Sequence, residues 1–405
     1  MLTRASALSL LLLLGSAPHH APQRTGSFQL SVPAGSYFSE SRIRIGATGV
    51  AGSYTLSVLG PGKIAGDTFI AARVDRPTWS TLIGASNGAV AYGSVRTVPP
   101  PPPAGHLIAV TTYRSGIALH DARTFAALGN ASIAGAPADA IFLPDGSIVT
   151  ADTDGDTLTR ISRSPWSVHE TAGVPEANEV AVDPSTGNIF ASDRDIQGQG
   201  ALTRVTPDGS VMHVVTGVTA EGIALDSKRQ IAYVSNVNDN TVAAVDMRTM
   251  RVLQKIPAVE RPFGVALDAR GGRLFVVSNM SPSMRPGGGY VAAIGVNAAT
   301  PRIVTRSSRL RFPLGVAFDA RSARVFVTDE AANVVYVLNS TTLREAHAPL
   351  VTCATPWRPR VAGDRLYVPC AREDRVDVFA LKTLRRVKGA PFPTGGYPLS
   401  VSVWP

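Results

Sequence analysis

One stretch limits the fold more than any other. In residues 233–246, YVSNVNDNTVAAVD, an alternating apolar run enters an Asn/Asp-rich turn and a second alternating run leaves it. Alternation on both sides of a turn cluster predicts a β-hairpin. The same grammar returns as VFVTDEAANVVYVLN at 325–339 and, more loosely, as SIVTADTDGDTLTRI at 147–161. One hairpin cannot bury its own apolar face, so regular repetition requires neighbouring units to stack into a shared core.

Aligning the apolar run that opens each unit gives anchors at Ala140, Glu179, Gly222, Gly264, Gly315, Arg360 and Ser400, spaced 39, 43, 42, 51, 45 and 40 residues apart. The long interval holds an insertion, MSPSMRPGGG (280–289), in a hairpin turn. A period near 40 with about four short strands per unit marks a β-propeller. The last copy, PLSVSVWP (398–405), stops after its first strand, whereas HLIAVTTYRSGIALHDARTFAAL (106–128) supplies only later strands. Joined in one blade, the two ends close a seven-bladed ring and remove its open sheet edges. The expected class is all-β, with the propeller over 106–405.

These repeats resemble the YVTN-type propellers, including YncE-like proteins. YVSNVNDNTVAAVDMRT carries the likeness, together with the P-x-G-V-A-x-D opening at Pro262–Asp268 and Pro313–Asp319. The blades opening at 139 and 179 are more similar to NHL or lactonase-type repeats. The resemblance implies a fold and an exported location, and it brings no shared catalytic motif.

Upstream of the repeats the text changes. Arg4 precedes an apolar core, Ala5 to Gly15, and small residues up to Ala17. Residues 1–21 therefore read as a signal peptide, with cleavage after Ala17 or Ala21 both open; the core is too short to span a bilayer. The mature chain is expected to be soluble, monomeric and exported: periplasmic, cell-surface or secreted. Between 27 and 98, short alternating runs broken by Gly, Pro and Ser predict five to seven strands of a small immunoglobulin-like β-sandwich. Within it, GPGKIAGDTFIAA (60–72) resembles a strand crossing of bacterial Ig-like domains. Five prolines at 99–103 predict a stiff spacer, so 99–105 reads as a linker.

The net charge of +9 comes from arginine, scattered singly and often at turns, as at Arg270, Arg273, Arg321 and Arg324. No basic run interleaved with aromatic residues is present, which argues against nucleic acid as a partner. A solvated basic surface is the plain reading; weak attraction to acidic polymers or a cell surface is the other.

In a propeller the residue before each anchor rings the channel mouth. Those residues are Asp139, Asn178, Glu221, Phe263, Leu314, Pro359 and Leu399, with Glu179 and Arg360 beside them. Asp139, Asn178 and Glu221 are similar in ligand type to the metal site of gluconolactonase-like propellers, which would imply Ca²⁺ or Mg²⁺ activating water for ester hydrolysis. That family's flanking motifs are missing and no ring histidine offers a base, so these groups read first as strand caps. Asp152, Asp154 and Asp156 resemble the start of a calcium loop but align with Asn236, Asn238 and Asn240, which are turn formers. Gly84 to Gly88 matches G-x-S-x-G, but Asn-Gly between alternating runs signals a tight hairpin instead. Cys353 and Cys370 fall on the mouth side of one blade; in an oxidising compartment they point to a disulfide, with two buried thiols as the alternative.

The expected function is therefore non-catalytic binding of a protein, glycan or small molecule through the mouth face. The turns at 193–200 and 279–289 would assist. A metal-dependent lactonase and a structural envelope protein are the competing classes.

Overall fold

The computed structural model describes residues 28–404 apart from 34–35, 50–52, 87–88, 102–104, 115, 134, 197 and 280–287. The signal segment lies outside the described residues. No helix among them is long and apolar enough to cross a membrane.

Six four-stranded antiparallel sheets follow one another along the chain and are numbered here as blades: 137–173, 177–217, 220–257, 262–306, 313–351 and 360–393. A closing blade is built from both ends of the region. Pro398–Trp404 pairs antiparallel with Leu107–Thr112, in register Leu107 to Trp404 and Thr111 to Ser400. Gly116–Asp121 and Ala127–Ala131 complete it. The innermost strands contact one another in cyclic order, the closing blade touching blades 1 and 6. The fold is all-β and of propeller type.

The repeat motifs now have physical meanings. In the second strands, Ser192, Ser235 and Thr328 are the hydroxyl residues of ASD, VSN and VTD. Each accepts a hydrogen bond from the anchor amide of its own blade and donates to a carbonyl of the next: Glu179 N and Glu221 O for Ser192, Gly222 N and Phe263 O for Ser235, Gly315 N and Trp357 O for Thr328. The residue that follows closes the strand in blades 3 and 5, at Asn236 and Asp329, and Asp156, Asn240, Asn333 and Asp374 take the left-handed conformation in the second-to-third-strand turns. Asn and Asp tolerate that conformation at low cost. The final Asp of P-x-G-V-A-x-D folds back on its own turn: Asp268 accepts from Gly271 N at 2.8 Å and Asp319 from Arg321 N at 3.2 Å.

The anchor glycines serve the ring rather than a turn. A Cβ on Gly222 would lie 2.7 Å from Phe263 O, and one on Gly315 only 2.4 Å from Pro359 Cδ. Where the anchor is not glycine, as at Glu179 and Arg360, the side chain enters the channel. Inner strands such as Ala220–Asp226 are buried on nearly every residue, while the outer strands Arg251–Pro257 and Arg302–Arg306 alternate. Blades packed on both sides bury both faces of a strand, which replaces strict alternation with runs of Val and Ala.

The N-terminal region holds nine short strands between Gln29 and Val98, more than the sequence suggests. Tyr37, Ile43, Phe69, Leu82 and Val95 form a core between its layers. The Gly62–Ala65 and Thr68–Ala71 strands pair as a hairpin, with Phe69 fully buried. This region is not held apart from the ring. Ser36–Phe38 pairs in parallel with 96–98 and contacts Asn130, so one eight-stranded sheet runs from the closing blade into the N-terminal strands. Phe38 and Val98 share a cluster with Leu107, Phe142 and Trp166, and Trp166 Nε1 donates to Ser39 O at 3.0 Å. The outer edge of the closing blade is thereby covered. Pro102 and Pro103 of the proline run, with Ala104, lie outside the described residues.

Candidate functional site: the channel mouth

In blades 1 to 5 the innermost strand slips register just after its first residue, as between Ala220 and Ile223 or Pro262 and Val265. The bulge turns the residues before the anchors toward the mouth, where they divide into two halves. One half is apolar. Ala138, Leu314, Trp357 and Leu399 are buried together, with Tyr113, Phe263, Phe312 and Tyr397 partly exposed around them. Arg114 lies over the Tyr397 ring at 5.7 Å.

The other half is ionic. Arg358 leaves the connection into blade 6 and crosses to blades 1 to 3. It donates to Ala138 O at 2.9 Å and to Asn178 Oδ1 at 3.0 Å, and stands 3.8 Å from Glu221 Oε2. Asn178 Nδ2 also donates to Glu221 Oε2, while Arg194 holds Oε1 at 2.5 Å. Glu221 is buried, at 4% exposure. A carboxylate so placed depends on its two guanidinium partners to offset lost hydration.

Beneath this bridge the channel holds a cavity of about 290 Å³ lined by Asp139, Glu179, Phe263, Leu314, Arg358 and Arg360, among others. Glu179 Oε2 accepts from Ile223 N at 2.8 Å and Asp139 Oδ2 from Val180 N at 3.0 Å. Asp139 Oδ1 is buried without a hydrogen-bond partner among the described residues. Burial pushes the Glu179 carboxyl up to about 7; Arg358 opposes the rise and the like charge of Asp139 adds to it. Arg360 donates through Nε to Val401 O at 3.2 Å.

The structure thus brings the sequence-derived ring residues together but gives them different tasks. Asp139, Glu179, Phe263 and Arg360 line the cavity, whereas Asn178 and Glu221 are engaged in the ionic bridge. Arg194, Trp357 and Arg358 belong to the site although the anchor rule does not name them. Arg194 lies in the turn at 193–200, which is itself strand-paired through Ile196 and Gln199. Of the other turn, residues 280–287 lie outside the described residues.

A divalent cation on Asp139, Asn178 and Glu221 does not fit this donor set, because two guanidinium groups already occupy the side of Glu221 that a metal would need. Among the described residues, the only group of three His, Cys, Asp or Glu with ligand atoms within 4.8 Å of one another is Cys353, Cys370 and Asp377. Its two cysteines are joined as a disulfide, which ties the segment carrying Trp357 and Arg358 to the second strand of blade 6. In the turn after Asp152, Asp154 accepts from Tyr113 Oη at 3.1 Å and Asp156 from Glu176 N at 2.8 Å. Both act as turn residues. Ser86 pairs with Ala89 across a hairpin and donates to Ser53 O, so no nucleophile elbow forms.

No protein-family model matches the sequence, so the YVTN-type resemblance stands on the motifs alone. No curated protein sequence matches it either. Solved structures do match. A protein of unknown function from Desulfotomaculum acetoxidans shares 14% identity over 74% of this chain and 99% of its own, with a TM-score of 0.61. A provisionally assigned 6-phosphogluconolactonase from Bacteroides uniformis shares 11% over 74% and 99%, at 0.60. Virginiamycin B lyase from Staphylococcus aureus shares 10% over 64% and 84%, at 0.51. At such identities the likeness establishes the propeller-type fold and no activity.

Proposed function

We propose that this chain is an exported, seven-bladed YncE-like propeller with an N-terminal Ig-like module, and that it binds a partner through the channel mouth. The observation that carries the reading is the divided mouth. A partly exposed aromatic group around Trp357 lies beside a guanidinium bridge, over a cavity with an unpartnered carboxylate oxygen. Pockets that combine an apolar lining with a few fixed polar groups suit small ligands or short polar chains such as glycans and peptides. The Cys353–Cys370 disulfide supports an oxidising compartment.

The lactonase alternative is not favoured, since the carboxylate best placed for it is paired with arginines. The test is a binding screen against envelope glycans, peptides and lactones, read by the fluorescence of Trp357 in a protein whose other tryptophans are replaced by Phe. A saturable ligand lost on Arg358→Ala or Phe263→Ala is expected. Saturable binding that survives both changes would remove the mouth-face reading, and chelator-sensitive lactone hydrolysis would replace it with the hydrolase.

A further inference from the structure

Arginines scattered singly in sequence are gathered by the fold onto the face opposite the mouth. The turns between first and second strands and between third and fourth all open there. In blade 3, for example, Asp226 pairs with Ile231, Ile231 with Asp246, and Asp246 with Arg251. Bonds between neighbouring blades join these turns into one surface. Arg273 donates to Thr341 Oγ1, Arg324 to Leu381 O and Arg365 to Ala122 O, at 3.1, 3.2 and 3.0 Å. Those three arginines are struts.

Others are free to face outward. Over blades 3 to 5, Arg248, Arg251, Arg270, Arg302, Arg321 and Arg344 are exposed. None of them forms an ion pair among the described residues. Most carboxylates of the same turns fold back on their own backbone, Glu345 beside Arg344 being exposed. Asp226, Asp268 and Asp319 accept from amides of their own turns, and Asp226 and Asp319 are buried. The result is a crescent of guanidinium groups on short turns, across the ring from the closing blade and its N-terminal strands.

We propose that this face docks on an anionic phospholipid bilayer. Guanidinium groups pair well with phosphate oxygens, and each basic residue held near such a surface adds to attraction. The exposed aromatic residues Trp79 and Tyr92 belong to the N-terminal strands, so the crescent offers no stacking platform for single-stranded nucleic acid. A flat array of short turns suits a planar polyanion better than a thread that needs a groove.

Co-sedimentation of the full chain with vesicles of phosphatidylcholine, alone or mixed with phosphatidylglycerol, tests this at low and high NaCl. Retention is expected only on the mixed vesicles at low salt, because screening releases surface charges. Combining Arg248→Glu, Arg270→Glu and Arg321→Glu should lower partitioning by roughly 100-fold or more, and Arg270→Glu alone by at least about fivefold. Circular dichroism melts check that both variants fold. Phe263→Ala at the mouth should leave retention unchanged, which separates this proposal from the function proposed above. Equal retention on neutral vesicles, or undiminished retention of the folded variants, would overturn it. So would binding to heparin without binding to the mixed vesicles.

Discussion

The two faces of the ring are made from the same repeat but hold their charges in opposite ways. At the mouth, Glu221 is buried and flanked by Arg194 and Arg358, so charge is neutralised internally and becomes part of the framework. On the far face, carboxylates turn back onto their own backbone and leave arginines such as Arg270 and Arg321 in water. Charge type is therefore a poor guide to role in this fold. Depth and the distance to a counter-charge decide whether an arginine supports the structure or presents a surface.

The largest expected effect is at the mouth. Glu221→Gln would leave the largely buried Arg194 and Arg358 without this carboxylate and should cost about 3–5 kcal/mol in urea unfolding. A loss under about 1 kcal/mol would mean that the bridge is solvated and the two faces are alike. Reduction of Cys353–Cys370, which are 17 residues apart, should cost about 3 kcal/mol. It should also weaken ligand binding at the mouth while leaving the far face unaffected.

A pH test follows from the buried carboxylates at the mouth-side ends of the second strands. Burial raises Asp152 and Asp193 to about 7, with hydrogen bonds from threonines opposing the rise. The folded state then holds these protons more tightly than the unfolded state. The stability they contribute is complete below the unfolded value near 4 and is lost as pH rises through about 7. Blade 3 carries Asn236 at the equivalent position, where its amide donates to Thr216 O and Thr241 Oγ1. Asp193→Asn should accordingly stabilise the protein at pH 8 by on the order of 2 kcal/mol and flatten its melting temperature between pH 5 and 8. A variant no more stable than the parent at pH 8 would show Asp193 to be ionised and satisfied.

The smallest contrast lies within a single turn of the far face. Arg324→Ala removes the strut to Leu381 O and should cost about 1–2 kcal/mol. Arg321→Ala, three residues earlier, should change stability by less than about 0.5 kcal/mol. Equal effects in thermal unfolding would erase the distinction between struts and solvated arginines.

Much of the fold was legible because its determinants are local. Hairpin alternation, the Asn or Asp ending most of the described second-to-third-strand turns, and the glycine anchors of blades 3 to 5 can be read within a dozen residues, and their period implies a ring. The truncated final repeat predicted that both ends of the region share one blade, and Pro398–Trp404 does pair with Leu107–Thr112. Legibility ended where partners are remote. The proline run suggested separate domains, but the edge of the closing blade is covered by Ser36–Phe38, whose three residues carry no signal for a parallel partner. The anchor rule found Asp139, Glu179, Phe263 and Arg360, and it also found Asn178 and Glu221. It had no means of showing that the last two would meet Arg358, which lies 180 residues from Asn178.

What the chain order alone determined is the repeating unit, its closure and the positions that face the axis, since each follows from neighbours in one hairpin or its next copy. What only the assembled ring decided is which charges are paired and which stay free. Pairing across a channel depends on distances between distant segments, and those distances exist only once the blades have packed.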